Sequence, residues 1–123
     1  MAHRNLADAL ATAGNIDEAV AEFRQAMTLD PKDPSAPYNL GVVLLQAGRV
    51  PDAVAALRSA VAVAPQSVDA HNNLGIALGS SGDLDGAIVQ FRQALAIDGS
   101  STQARQNLEM AEQALARMRG TRR

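Results

Sequence analysis

Asn5, Asn39, Asn73 and Asn107 stand 34 residues apart in this 123-residue chain. A primary amide is both donor and acceptor. That pair matches the C=O and N–H of an extended peptide backbone, so amides set in a row could hold a main chain without reading its sequence. Packed neighbouring helices lie ~8–10 Å apart, and an extended chain advances ~3.3 Å per residue. One amide per helix would therefore meet such a chain at about every third residue. The same column also suits a plain solvated helix face, and the sequence leaves both readings open. One residue earlier stand Arg4, Tyr38, Asn72 and Gln106; three residues later stand Asp8, Val42, Ile76 and Met110. Val42 and Ile76 fit a partly apolar binding surface, and they fit equally as packing residues between helices.

Other chemistries find little to work with. Cysteine is absent, which excludes disulfides, thiolate metal sites and thiol catalysis. The two histidines, His3 and His71, occupy one repeat column 68 residues apart, which favours a structural role. Gly79-Ser80-Ser81-Gly82 has the composition of a phosphate loop but lacks the lysine and the preceding strand. Asp83 and Asp85 lack the further ligands of a calcium loop and suit helix capping better. No nucleophile, base and orienting group stand at workable spacing, so neither an enzyme nor a cofactor is expected. Lys plus Arg is 11 against 13 Asp plus Glu, a net charge of -2, and the chain has no Trp, one Tyr and two Phe. A nucleic-acid binder would be basic and richer in stacking rings. Segment 102–123 is basic, with five Arg and two Glu. Arg117, Arg119, Arg122 and Arg123 could meet an acidic partner, but cations near a helix C-terminus are expected from its dipole alone. No apolar run approaches membrane length, and Asp8 interrupts any signal-peptide core. The expected location is cytoplasmic, with no membrane partner.

The elements that would position these residues follow from the same period. Gly14, Gly48 and Gly82 recur at 34 residues, as do Leu6/Leu40/Leu74, Leu10/Leu44/Leu78, Ala19/Ala53/Ala87, Phe23/Leu57/Phe91 and Ala26/Ala60/Ala94. Pro31 and Pro65 share a further column with Gly99. Each unit reads as two helices. Leu40, Gly41, Leu44 and Leu45 share one helical face, Ala47-Gly48 stops that helix, and Val50, Val54, Leu57, Ala60 and Val61 make the stripe of the next. Ala64-Pro65 ends it. Asp33, Ser67 and Ser101 stand as caps before first helices, Asn15 with Glu18 offers a capping box, and Asp83 caps a second helix. Pro37 requires its helix to start late, with Ser35 as cap and Pro37 in the first turn. Small residues such as Gly41, Ala53, Ala60, Gly75 and Ala87 mark where helices of a pair approach closely.

Residues 102–119 read as one more helix, apolar at Ala104, Leu108, Ala111, Leu115 and Met118 and polar opposite, as a solenoid-capping helix would be. The expectation is an all-α, right-handed α-solenoid of seven helices. It forms a single domain over 1–119, with repeats at about 1–33, 34–67 and 68–101, a capping helix at 102–119, and a flexible basic tail at 120–123. The first helix carries no cap of its own, which raises self-association through that end, or membership of a longer array, as alternatives.

The 34-residue helix–turn–helix pattern resembles the tetratricopeptide repeat, TPR. The Leu-Gly pairs at 40–41 and 74–75, the Ala/Phe/Ala columns and the Asp-Pro end at 30–31 carry the resemblance. The usual early Trp is replaced by His3, Pro37 and His71, the usual Tyr by Leu10, Leu44 and Leu78, and one Gly by Ala7. The resemblance implies a non-catalytic adaptor that holds a protein or peptide partner in a concave groove lined by the first helices. The asparagine column then resembles the asparagine ladder of superhelical members of the family. The implied peptide-binding residues are Asn5, Asn39, Asn73 and Asn107, with Arg4, Tyr38, Asn72, Val42 and Ile76 beside them. A further implied alternative is a scaffold region of a larger enzyme such as a glycosyltransferase. Another subclass grips chaperone C-terminal carboxylates with two Lys, two Asn and one Arg. Arg4 and Asn39 are tolerable matches here, but Asp8 stands for Asn, Asp69 for Lys and Asn73 for Arg. Acids beside a carboxylate repel it, so such tails are not expected to bind.

Overall fold

The computed structural model describes residues 15–121. These form six helices: α1 (Ile16–Leu29), α2 (Ser35–Gln46), α3 (Val50–Val63), α4 (Val68–Ser80), α5 (Leu84–Ile97) and α6 (Thr102–Thr121). The first of the seven expected helices falls within residues 1–14, outside the described residues together with Arg4, Asn5 and Asp8. Contacts divide the chain into two compact units, Met1–Pro65 and Gln66–Arg123.

In the first unit α2 and α3 form an antiparallel pair, with α1 packed on α2. The turn between α2 and α3 is set by Gly48 at φ +79°. Arg49 N–H donates to Leu44 C=O at 2.9 Å and Gly48 N–H to Leu45 C=O at 3.0 Å, the paired bonds of a Schellman ending that glycine makes cheap. Pro37 sits in the first turn of α2, where its missing N–H has no acceptor to lose; the first helical bond runs from Tyr38 N–H to Pro34 C=O at 3.1 Å. Ser35 is therefore the first helical residue, not the cap, and Asp33 accepts from its N–H at 2.9 Å. Asn15 stands at the N-cap of α1 without a side-chain cap bond; Glu18 is exposed. The core gathers Ala19, Phe23, Leu40, Leu44 and Ala53. A Cβ on Gly41 would collide with Leu57, so the glycine sets how closely α2 and α3 approach.

The second unit repeats this logic. Gly82, at φ +93°, turns α4 into α5, and Asp83 N–H donates to Leu78 C=O at 2.9 Å. The expected caps form: Ser67 accepts from Ala70 N–H at 3.1 Å, Asp83 from Gly86 N–H at 2.9 Å, and Ser101 from Ala104 N–H at 3.2 Å. A Cβ on Gly75 would lie 2.5 Å from Phe91. Ala104 and Ala111 bury the inner face of α6. At the α6 positions matching Gly75 and Leu78 stand Glu109 and Glu112, both exposed, so the face that pairs with a following helix in α4 is charged in α6. Glu112 takes an ion pair from Arg92 of α5 at 3.2 Å. Helix α6 runs to Thr121, two residues beyond the expected end, because Gly120 keeps a helical conformation instead of the positive φ of a helix stop. Among the described residues no helix is long and apolar enough to cross a membrane.

Between α5 and α6, Asp98 accepts from Ser100 Oγ–H at 2.6 Å and Ser100 N–H at 3.0 Å. These bonds hold its carboxyl below the ordinary value. A carboxyl lowered in the folded state contributes stability above its unfolded pKa, about 3.9, and that contribution is lost as pH falls through the folded value.

Two outcomes check this packing. Ala53 is fully buried and Gln46 exposed, so Ala53→Leu should destabilise by roughly 1–3 kcal/mol through overpacking while Gln46→Leu stays within about 0.5 kcal/mol. Thermal melts of equal midpoint would contradict the assignment. Ser100→Ala should raise the Asp98 carboxyl titration midpoint, followed by carbon NMR; an unmoved midpoint would contradict the hydroxyl's role.

Candidate functional site

Helices α4 and α6 lie side by side over α5 in the second unit. Residues three or four apart share a helix face. Asp69, Asn73, Ile76 and Ser80 therefore follow one stripe of α4, and Asn107, Met110, Ala114 and Arg117 one stripe of α6. Between the two stripes the structure opens a cleft of about 310 Å³. Ile76, Gly79 and Ser80 come from α4, Asn107, Met110 and Ala114 from α6, and Ala87 and Phe91 from α5 beneath. Among the described residues none that lines it is charged.

One polar bond sets the geometry of this surface. Asn107 Nδ2 donates to Asn72 Oδ1 at 2.9 Å, joining α6 to α4. Asn72 is 3% exposed, so water cannot compete for that oxygen. The sequence expectation placed Asn72 beside the groove; the structure instead uses it beneath the surface to hold Asn107. The Asn107 amide is half-buried at the cleft wall. Asn73 and Ile76 on α4 are half-buried, as are Tyr38, Asn39 and Val42 on α2 in the first unit. Met110 is 65% exposed, an unusual state for a large apolar side chain on a cleft wall.

His71 is a packing residue. It is buried, and its Nδ1 lies 2.8 Å from Gln90 Oε1. The bond ties α4 to α5 at the column where the resemblance leads one to expect tryptophan. The glycine-serine run at 79–82 is the end of α4 and its turn, with Ser81 Oγ–H donating to Leu78 C=O at 2.7 Å. Asp83 is spent on its cap, and no group of three or more acidic, His or Cys side chains could hold a metal among the described residues.

Sequence reasoning missed Gly79, Ala114 and the pairing of Asn72 with Asn107. A signal for the first existed: the column Ala11, Leu45, Gly79 shrinks to glycine in the third repeat. The mixed column Arg4, Tyr38, Asn72, Gln106 carried no sign that one member is buried.

Two family models, each described as tetratricopeptide repeat, match residues 10–75 and 69–97. The chain belongs to the tetratricopeptide repeat family. Helices α2–α3 and α4–α5 are TPR helix–turn–helix pairs, and solved TPR domains share the fold. The first TPR of Spaghetti (RPAP3), solved bound to the HSP90 peptide SRMEEVD, superposes with a TM-score of 0.85 at 23% identity over 94% of this chain and 91% of that one. The Sgt2 TPR domain from Aspergillus fumigatus gives 0.85 at 19% identity over 95% and 79%. The second TPR domain of human RPAP3, solved in complex with the HSP70 peptide SGPTIEEVD, gives 0.82 at 17% identity over 89% and 92%. No curated protein matches the sequence.

The Asn72–Asn107 bond makes a clear prediction. Asn72→Ala strands the Asn107 amide and opens a small void, and should cost about 1–3 kcal/mol in denaturant melts. A double-mutant cycle with Asn107→Ala should return a coupling of roughly 0.5–1.5 kcal/mol. Zero coupling would contradict the bond.

Proposed function

We propose that this TPR domain is a non-catalytic protein-interaction module that holds an extended segment of a partner protein on the first-helix faces. In the second unit Asn107 and Asn73 stand on these faces, and in the first unit Asn39 stands at the matching position of α2, each with an amide of the kind that suits a partner's main chain. Ile76, Val42 and Tyr38 supply apolar surface beside them. Asn5 and Arg4 are the corresponding residues of the first repeat. The observation that carries this reading is the open cleft between α4 and α6, lined among the described residues by uncharged side chains, with the Asn107 amide fixed at its wall. Fixing an amide before the ligand arrives lowers the ordering cost of binding. The peptide complexes of the first TPR of Spaghetti and the second of human RPAP3 support a peptide ligand class.

The partner's charge differs from those two peptides. Both end in Glu-Glu-Val-Asp. Here α4 presents exposed Asp69, and an acid facing an acidic tail repels it. The ligand is a neutral or basic segment.

Two measurements check the reading. Immobilised wild type should recover a partner from its native extract that Asn39→Ala/Asn107→Ala recovers at least fivefold less well, with the variant's helical content unchanged; equal recovery would contradict it. Calorimetry with the peptide SRMEEVD should show no low-micromolar binding, and Asp69→Lys should strengthen whatever weak binding is present. A low-micromolar affinity for the wild type would overturn the charge argument.

A further inference from the structure

Resting on that groove reading, we infer that the α4–α6 cleft is a receptor for one aliphatic side chain (leucine, isoleucine or methionine) of a partner segment that carries Lys or Arg three residues away. The cleft exists because of two small residues at places where the preceding repeat is larger. Gly79 occupies the column of Leu45, and Leu45 packs against the core of the first unit. Ala114 occupies the column of Ser80 and Gln46. A Cβ built on Gly79 meets only Ala87 Cβ, at 3.8 Å, so nothing steric requires glycine there. Glycine inside a helix is less stable than alanine, and its φ here is not the positive value that would excuse it. The missing side chain leaves room that Ile76 and Met110 border and Phe91 floors. The apolar part of the lining, Ile76, Ala87, Phe91 and Met110, favours an apolar occupant.

Charge selects what flanks that occupant. Among the described residues none that lines the cleft is charged. Asp69 stands seven residues before Ile76 on the same α4 stripe, ~10 Å along the helix, and Arg117 stands seven residues after Met110 on α6, about as far in the other direction. Both are exposed. A cation on the ligand is drawn to the Asp69 end and repelled from the Arg117 end, which gives the bound segment a direction. Ten ångströms is about three residues of extended chain, hence the spacing.

The test uses the full chain and three amidated, acetylated probe peptides. The first is Ser-Lys-Ser-Ser-Leu-Ser-Ser, the second has alanine in place of leucine, and the third has glutamate in place of lysine. Affinities come from titrations that follow the methyl resonances of Ile76 and Met110. The leucine probe should bind about tenfold tighter than the alanine probe and several-fold tighter than the glutamate probe. Gly79→Leu and, from the opposite wall, Ala114→Leu should each abolish the leucine preference, while Gly79→Ala retains the helical signal and most of the preference. Equal binding of the leucine and alanine probes, or a preference that survives both filling variants, overturns the receptor. If in that case Asn107→Ala still weakens every probe, the groove reading stands and only the receptor falls. Absence of binding by all three probes overturns both. A concentration-dependent mass in sedimentation that Gly79→Leu removes would assign the cleft to a second copy of the chain and overturn the peptide occupant.

Discussion

The close approach of two antiparallel helices governs everything else in each unit. It is achieved by putting nothing where a Cβ would stand: Gly41 under Leu57 in the first unit, Gly75 under Phe91 in the second. A large side chain filling the space of a missing one gives dense packing without strain, and fully buried Ala53, Ala60, Ala87 and Ala94 extend the contact along each pair. With almost no aromatic mass, 2% of residues, the chain gains burial through proximity of backbones more than through bulk. Leu57 and Phe91 supply bulk where each meets a glycine.

That constraint also explains how an open surface survives on so small a fold. The glycine and alanine columns draw each second helix tightly under its first, leaving the opposite stripe of α4 uninvolved in pairing. The α4–α6 bond between Asn72 and Asn107 then joins the two first-type helices of the second unit by a polar contact instead of an apolar one. A buried amide with one partner is costly to disturb, so this rung fixes the orientation of Asn107 while the cleft beside it stays open. Glycine at 79 repeats the device used at 41 and 75, but with no large residue placed opposite, and the result is a vacancy rather than a contact.

Most of the architecture was legible in the sequence because repetition turns single ambiguous residues into columns. The turns at Gly48 and Gly82, the caps at Ser67, Asp83 and Ser101 and the paired helices all followed from position within the period. The misses are local competitions that a column cannot decide. Ser35 lost the cap position to Pro34 because the backbone before Pro37 already supplies the first helical acceptor. Asn15 occupies the cap position without making the bond. The candidate site was legible in its stripe, through Asn107 and Ile76, and not in its depth. Asn72 shares a column with Arg4, Tyr38 and Gln106, residues of unlike chemistry, so burial at that one rung depends on the neighbouring helix and leaves no trace in spacing.

The central claim is that a fixed side-chain amide grips the main chain of a bound segment. Backbone N-methylation, residue by residue along a bound peptide, removes one N–H at a time and leaves every side chain in place. The account predicts that methylation at one position weakens binding to the wild type by at least about tenfold, the worth of a well-placed hydrogen bond in a desolvated setting, and that this sensitivity disappears in Asn107→Ala. Uniform tolerance of methylation, or the same sensitive position in the variant, would contradict it.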